Sequence, residues 1–216
     1  MATTTPNYGW TVPTSTDLVK DGATAIETLG DAIDASMNTA LGTKKAGMVL
    51  LNTTSFSGVA SQSIDDVFSA TYTNYKIVVE AENSGTGFVS TSMRMRVSGT
   101  DNSSSNYRWQ QAYLVDTSAA PTYAFDGSNG LTTNFRLGAF GSTAGRSLTT
   151  IEMSNPFATE YTALTFQNTA YDQSTPRGHN YIGAGNLIVT TSYTGFTMIP
   201  SSNNITGSVS VYGYQK

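Results

Sequence analysis

The chain has 216 residues, of which only 12% are charged, with a formal net charge of −4 and no cysteine. That composition excludes disulfides and thiolate metal sites, and with no basic run it argues against a nucleic-acid partner. No stretch of about 20 apolar residues is present to cross a bilayer as a helix, and the opening MATTTPNYGW lacks the charged and apolar regions of a secretory signal, so synthesis in a cytoplasm without general export is expected.

The first predicted element is the sole helix. Asn7, Gly9 and Pro13 oppose helix, Thr14 or Ser15 supplies an N-cap hydroxyl, and Asp17 favours the first turn. From Val19 onward the small and apolar positions fall at Val19, Gly22, Ile26, Leu29, Ile33, Ser36 and Ala40. Steps of alternating three and four make a heptad seam. Gly42 is a C′ stop, and Lys44 and Lys45 suit the negative end of the dipole. A rod of roughly 40 Å results at about 1.5 Å per residue. Two readings stay open. The helix packs on its own β domain, or copies associate along the seam Val19, Ile26, Leu29, Ile33 and Ala40 as a short parallel bundle of three chains. The acidic flanks (Asp21, Glu27, Asp31, Asp34) and the thin stripe favour the bundle.

After a linker over 43–46, the rest reads as short strands separated by polar turns. Aromatics make up 11% of the chain, with 12 Tyr and 9 Phe, and such a mix favours β structure over disorder. Met48–Leu51 is predicted as a buried strand and 53–63 as a loop. Tyr75–Glu82 is the strongest strand, with Ile77 and Val79 on one face. Phe88–Val97 points Met93 and Met95 one way and Arg94 and Arg96 the other. Tyr107–Val115 carries Trp109 and Tyr113, and Tyr123–Phe125 and Leu131–Phe140 flank an Asn129-Gly130 tight turn. Strands follow at Ser147–Met153, Tyr161–Tyr171, Tyr181–Thr191, Phe196–Ile199 and Ser208–Tyr214, with 172–178 a loop. The expected fold is mainly β: an N-terminal attachment segment and oligomerisation α-helix within residues 1–45, then a jelly-roll-like antiparallel β-sandwich over 46–216.

Two segments carry a resemblance. NYGWTVPTSTDLVKDGATAIETLGDAID, through Tyr8-Gly9-Trp10, Val19–Ala23 and Ala25–Asp34, resembles the N-terminal segment of tailed-phage tail-fibre and baseplate-appendage virion proteins. It covers roughly the first fifth of the chain. AGMVLLNTTSFSGVASQSIDDVFSATYTNYKIVVEAE, with Ile64, Val67, Phe68, Tyr72 and Tyr75, and the terminal GSVSVYGYQK are similar to the C-terminal β domain recurrent in such chains. The resemblance implies attachment to other virion proteins near Tyr8 and Trp10, exposure of the β domain, and location in the virion tail after assembly in the host cytoplasm. The stretch 102–195 is matched only by strand rhythm, so no target carries over.

Chemistry is sparse. His179 is the one histidine, and Gly141–Gly145 places Thr143 where a nucleophile elbow needs serine. No acidic spacing matches a calcium loop, and Asp101, Asp116, Asp126 and Glu152 would meet only through the fold. We therefore expect no enzyme activity, no metal and no cofactor. Amphipathic aromatics suit sugar or protein surfaces, which makes Trp109, Tyr113, Tyr123, Tyr171 and His179 the candidate receptor contacts. The leading expectation is a homotrimeric fibre or appendage protein that adheres to host-surface glycan or protein. The alternative is a capsid decoration protein with a purely structural role.

Overall fold

The computed structural model describes residues 3–16, 18–41, 47–116 and 120–214. The chain divides into two compact units, Met1–Gly47 and Met48–Tyr214.

In the first unit, β1 (Thr3–Thr4) and β2 (Thr11–Val12) pair antiparallel. The Gly9 amide donates to the Thr5 carbonyl at 3.0 Å, with Gly9 at φ +67°, a conformation that costs glycine little. A 3-10 turn (Val19–Asp21) then leads into α1 (Gly22–Leu41). The helix starts later than the sequence predicts. The residue ahead of the first turn is Leu18, whose extended backbone carries no side-chain acceptor, so neither Thr14 nor Ser15 caps it. Twenty residues give a rod of about 30 Å, not 40 Å. Asp17, Gly42, Lys44 and Lys45 lie outside the described residues. Gly22, Ala25, Leu29, Ala32, Ile33 and Ser36 are half-buried along one stripe, and no described helix residue is buried. The neighbouring stripe is open, with Val19 97% and Ile26 65% exposed.

In chain order the second unit contains β3 (Met48–Val59), β4 (Gln62–Ile64), β5 (Asn74–Asn83), β6 (Val89–Val97), β7 (Thr100–Asp101), β8 (Tyr107–Val115) and β9 (Thr122–Gly127). It continues with β10 (Phe135–Phe140), β11 (Ser147–Ser154), β12 (Thr162–Asp172), β13 (Arg177–Leu187), β14 (Gly195–Pro200) and β15 (Ile205–Tyr214). These form an antiparallel sandwich of two unequal sheets. The larger runs β3-β15-β5-β11-β12-β13-β8-β9, and the smaller runs β10-β6-β14-β4 with β7 on the side of β6. Strand alternation puts Tyr75, Ile77, Val79 and Ala81 of β5 and Val209 and Val211 of β15 inward. From the smaller sheet, Met93, Met95, Phe135, Leu137, Phe196 and Met198 meet them. The connection before β5 closes one end of this core. The Tyr75 hydroxyl accepts from the Ser69 amide (2.8 Å) and donates to the Ser69 carbonyl (2.9 Å). Phe68 lies 4.7 Å from the Tyr75 ring and 5.8 Å from Phe196.

Three strand expectations are corrected. Met48–Leu51 is not buried: β3 is an edge strand on which Met48 and Leu50 are exposed. The stretch 53–63 is mostly strand, because β15 pairs with β3 from Met48 to Val59. The residues flanking Asn129-Gly130 form no hairpin: β9 pairs with β8 in the larger sheet and β10 with β6 in the smaller, so the turn crosses between layers.

Candidate functional site

The outer face of the larger sheet is a grid fixed by register. One row across β5, β11, β12, β13 and β8 reads Lys76, Glu152, Thr165, Ala184, Gln110. The next, from β11 to β9, reads Thr150, Gln167, Ile182, Ala112, Phe125. The third reads Leu148, Thr169, Asn180, Leu114, Tyr123. The first two rows line an open groove of about 970 Å³, a size typical of ligand clefts.

The groove is graded across its width. Toward β9 it is apolar, with Phe125 79% and Ile182 55% exposed; just beyond it, in the third row, Tyr123 is 76% exposed, and its ring meets Phe125 edge to face at 6.1 Å. Toward β5 it is polar. Lys76 Nζ lies 3.4 Å from Glu152 Oε1, and the Tyr214 hydroxyl donates to Glu152 Oε2 at 2.7 Å. That bond to an ionised acceptor pushes the Tyr214 phenol up to about 12, with burial adding to the shift. Between the two ends lie the neutral amides of Gln110 and Gln167 and the hydroxyls of Thr150 and Thr165. Such a surface offers an apolar strip for C–H faces beside uncharged donors and acceptors.

The five aromatic and histidine candidates do not converge. Tyr123 and Tyr171 stand exposed on the outer face. Trp109 and Tyr113 sit half-buried on the inner face of β8, in the same alternation as buried Tyr107 and Gln111. His179 is not in a loop. It lies in β13, 6% exposed, with its ring 4.4 Å from Phe88 and 6.3 Å from Tyr181. Neither imidazole nitrogen has a hydrogen-bond partner among the described residues. Burial lowers the His179 pKa against the opposing pull of Asp172, which suits a neutral packed ring. Ile182, Phe125, Gln110 and Gln167 are absent from the sequence-level candidates. An isolated isoleucine reads as core from sequence, and only the register shows that Ile182 faces water.

The carboxylates also stay apart. Asp101 pairs with Arg96 and accepts from Thr197 Oγ1 at 2.7 Å, Glu152 is held by Lys76 and Tyr214, and Asp126 faces Arg136 at 3.7 Å. Among the described residues no group of three or more potential metal ligands occurs. At the N-terminal attachment candidates, Trp10 Nε1 donates to Ser36 Oγ at 2.9 Å and the Trp10 ring stacks on Tyr8 at 5.1 Å. No helix of the described residues is long and apolar enough to cross a membrane.

No family model matches the chain, and no curated protein matches it. Three solved structures illustrate what it is similar to. A galectin of Caenorhabditis elegans is 5% identical over 79% of this chain and 99% of its own, with a TM-score of 0.31. The CBM2 module of the evolved Dit of Lactobacillus casei phage J-1 is 11% identical over 80% of this chain and 92% of its own, at 0.27. The catalytic domain of an endo-1,3-β-glucanase from Thermotoga petrophila is 9% identical over 72% of this chain and 69% of its own, at 0.20. Overlaps this slight carry no argument about function.

Proposed function

We propose that the chain is a structural protein of a phage virion, a tail fibre or baseplate appendage, which is held near its N-terminus and displays the sandwich for adhesion to host-surface glycan. The observation that carries the adhesive half is the exposed pair Phe125 and Ile182 set beside the neutral amides of the same groove, with Tyr123 exposed next to Phe125. Leaving large apolar side chains in water is costly unless a partner covers them, and a sugar ring offers both the C–H face and the hydroxyls to match. The virion half rests on the sequence resemblance of the N-terminal segment and the chain end.

Three copies join along the open stripe that runs from Val19 in the 3-10 turn to Ile26 in α1. Linking three weak sites on one tip raises avidity by roughly a hundred- to ten-thousandfold without any new contact. The action is binding without turnover: Asp101, Asp126 and Glu152 each face a cation, and His179 is packed among rings.

The test is binding of the full chain to immobilised bacterial surface polysaccharides, beside the variants Phe125→Ser and Ile182→Asn. Saturable binding that weakens about tenfold in each variant supports the reading. No binding to any polysaccharide, or binding indifferent to both changes, rejects the groove as the adhesive surface. Antibody labelling of virions over the head instead of the tail would reject the fibre assignment.

A further inference from the structure

The inner face of the same sheet is less covered at its β8–β9 end, where the smaller sheet gives way. The edge strand β10 lies across from β12, β13 and β8, whereas the main neighbour of β9 is β8. The inward side chains at the β8–β9 end are therefore only partly covered. Arg136 of β10 reaches over this gap. Its Nη2 donates to Ser90 Oγ at 2.7 Å, its Nη1 is 3.7 Å from Asp126 Oδ2, and its Cζ sits 5.9 Å from the centre of the Trp109 ring. Gln111, 4% exposed, directs Nε2 toward the same Asp126 oxygen at 3.5 Å. The side chains of Arg136 and Asp126 are each 38% exposed, so water reaches the mouth of the group.

Two polar atoms here are buried with no partner among the described residues: Gln111 Oε1, an acceptor, and Arg136 Nε, a donor. Buried polar groups are almost always paired, so two orphans of opposite sense in one cluster call for an occupant that both donates and accepts. The charges narrow its chemistry. An anion would gain Arg136 and be repelled by Asp126, and a cation would meet the reverse. At 3.7 Å that ion pair is longer than a hydrogen bond, so with Arg136 held on Ser90 and Asp126 beside Gln111 each group keeps capacity toward a third. A neutral ligand with adjacent hydroxyls fits: one hydroxyl donates to Gln111 or Asp126, its neighbour accepts from Arg136, and Trp109 and Tyr113 offer apolar ring surface.

We propose that this corner, Trp109, Gln111, Asp126 and Arg136, is a second binding site, for the vicinal hydroxyls of a neutral sugar ring. Its side chains point to the opposite face of the sheet from Phe125 and Ile182, although Gln111 and Asp126 also border the groove, and it does not rest on the adhesion reading. With two such sites, one chain could engage two points of a polysaccharide.

The test uses the full chain with Trp10→Phe, which leaves Trp109 as the one tryptophan of the two present. Fluorescence is followed while the methyl glycosides of glucose, galactose, mannose and N-acetylglucosamine are titrated, with inorganic phosphate as the anionic comparison. A saturable change with at least one glycoside, absent with phosphate, is expected. Arg136→Met should weaken it about tenfold, the size of a lost charge-assisted hydrogen bond, while the thermal midpoint holds. Should that variant fail to fold, Asp126→Asn takes its place. Phe125→Ser, on the other face, should leave the titration unchanged, so failure of the corner and failure of the groove are read separately. No saturable change with any glycoside, or a response that survives both Arg136→Met and Asp126→Asn, overturns the proposal.

Discussion

In the sandwich, Tyr75, Ile77, Met93, Phe135 and Val209 are fully sealed from water; in α1, Ile26 and Met37 are more than half exposed, as is Val19 in the turn ahead of it. Both regions carry large aliphatic side chains, yet those of the sandwich core are sealed and those on the open stripe of the helix are not. The β unit can supply its own stability. A helix of 20 residues with several Gly, Ser and Thr is marginal by itself, so its order depends on what covers the open stripe.

The largest expected effect contrasts the two regions directly. Phe135→Ala removes a ring that meets Tyr107 edge to face at 4.9 Å and should cost about 3–5 kcal/mol in denaturant unfolding. Ile26→Ala should leave that transition unmoved, and a comparable loss would mean that the helix is part of the sandwich's cooperative unit. Next comes association. Ile26→Asp places a charge on the proposed seam and should raise the trimer dissociation constant by about a hundredfold in sedimentation. A parent chain that stays monomeric at micromolar concentration would remove the bundle altogether.

A smaller effect probes how dry the core is. Burial holds the His179 imidazole below its ordinary value, with Asp172 opposing and Arg177 adding to the shift. The unfolded chain then takes up the proton more readily, so this contribution is complete above the ordinary value of 6.5 and is lost as pH falls toward the folded value. Between about pH 7.5 and 5.5 ordinary carboxylates stay ionised, and His179 is the one histidine. The urea midpoint should drop over that range in the parent and stay level in His179→Phe. An equal drop in both would show the imidazole to be hydrated. Smallest is Trp10→Phe, which loses the bond to Ser36 and should lower helix content slightly, by less than about 1 kcal/mol in unfolding.

The strands were legible wherever burial is one-sided. The alternation in Tyr75–Glu82 read directly as one buried face, because period-two patterning is a local property. The assignment failed where pairing is non-local. Asn129-Gly130 carries hairpin chemistry, but which strand β10 joins is decided by Phe135 and Leu137 finding Met93 and Met95 across the chain. The groove was hidden for the same reason: Ile182 differs from a core isoleucine only in which face of β13 it occupies. Trp109 and Tyr123 share no face, since the β8–β9 register sets Tyr123 opposite Leu114, and composition carries no record of it.

β15 lies between β3 and β5, and the Thr53 and Ser210 hydroxyls, 3.1 Å apart, are separated by 157 positions in the chain. During synthesis the larger sheet stays split until residues 205–214 leave the ribosome, with the facing edges of two strands exposed in the meantime. Long-range closure of this kind is slow and invites wrong pairings. Maturation of this unit should therefore begin only after release of that last strand, and a nascent chain arrested before it should be held by a chaperone or lost to aggregation.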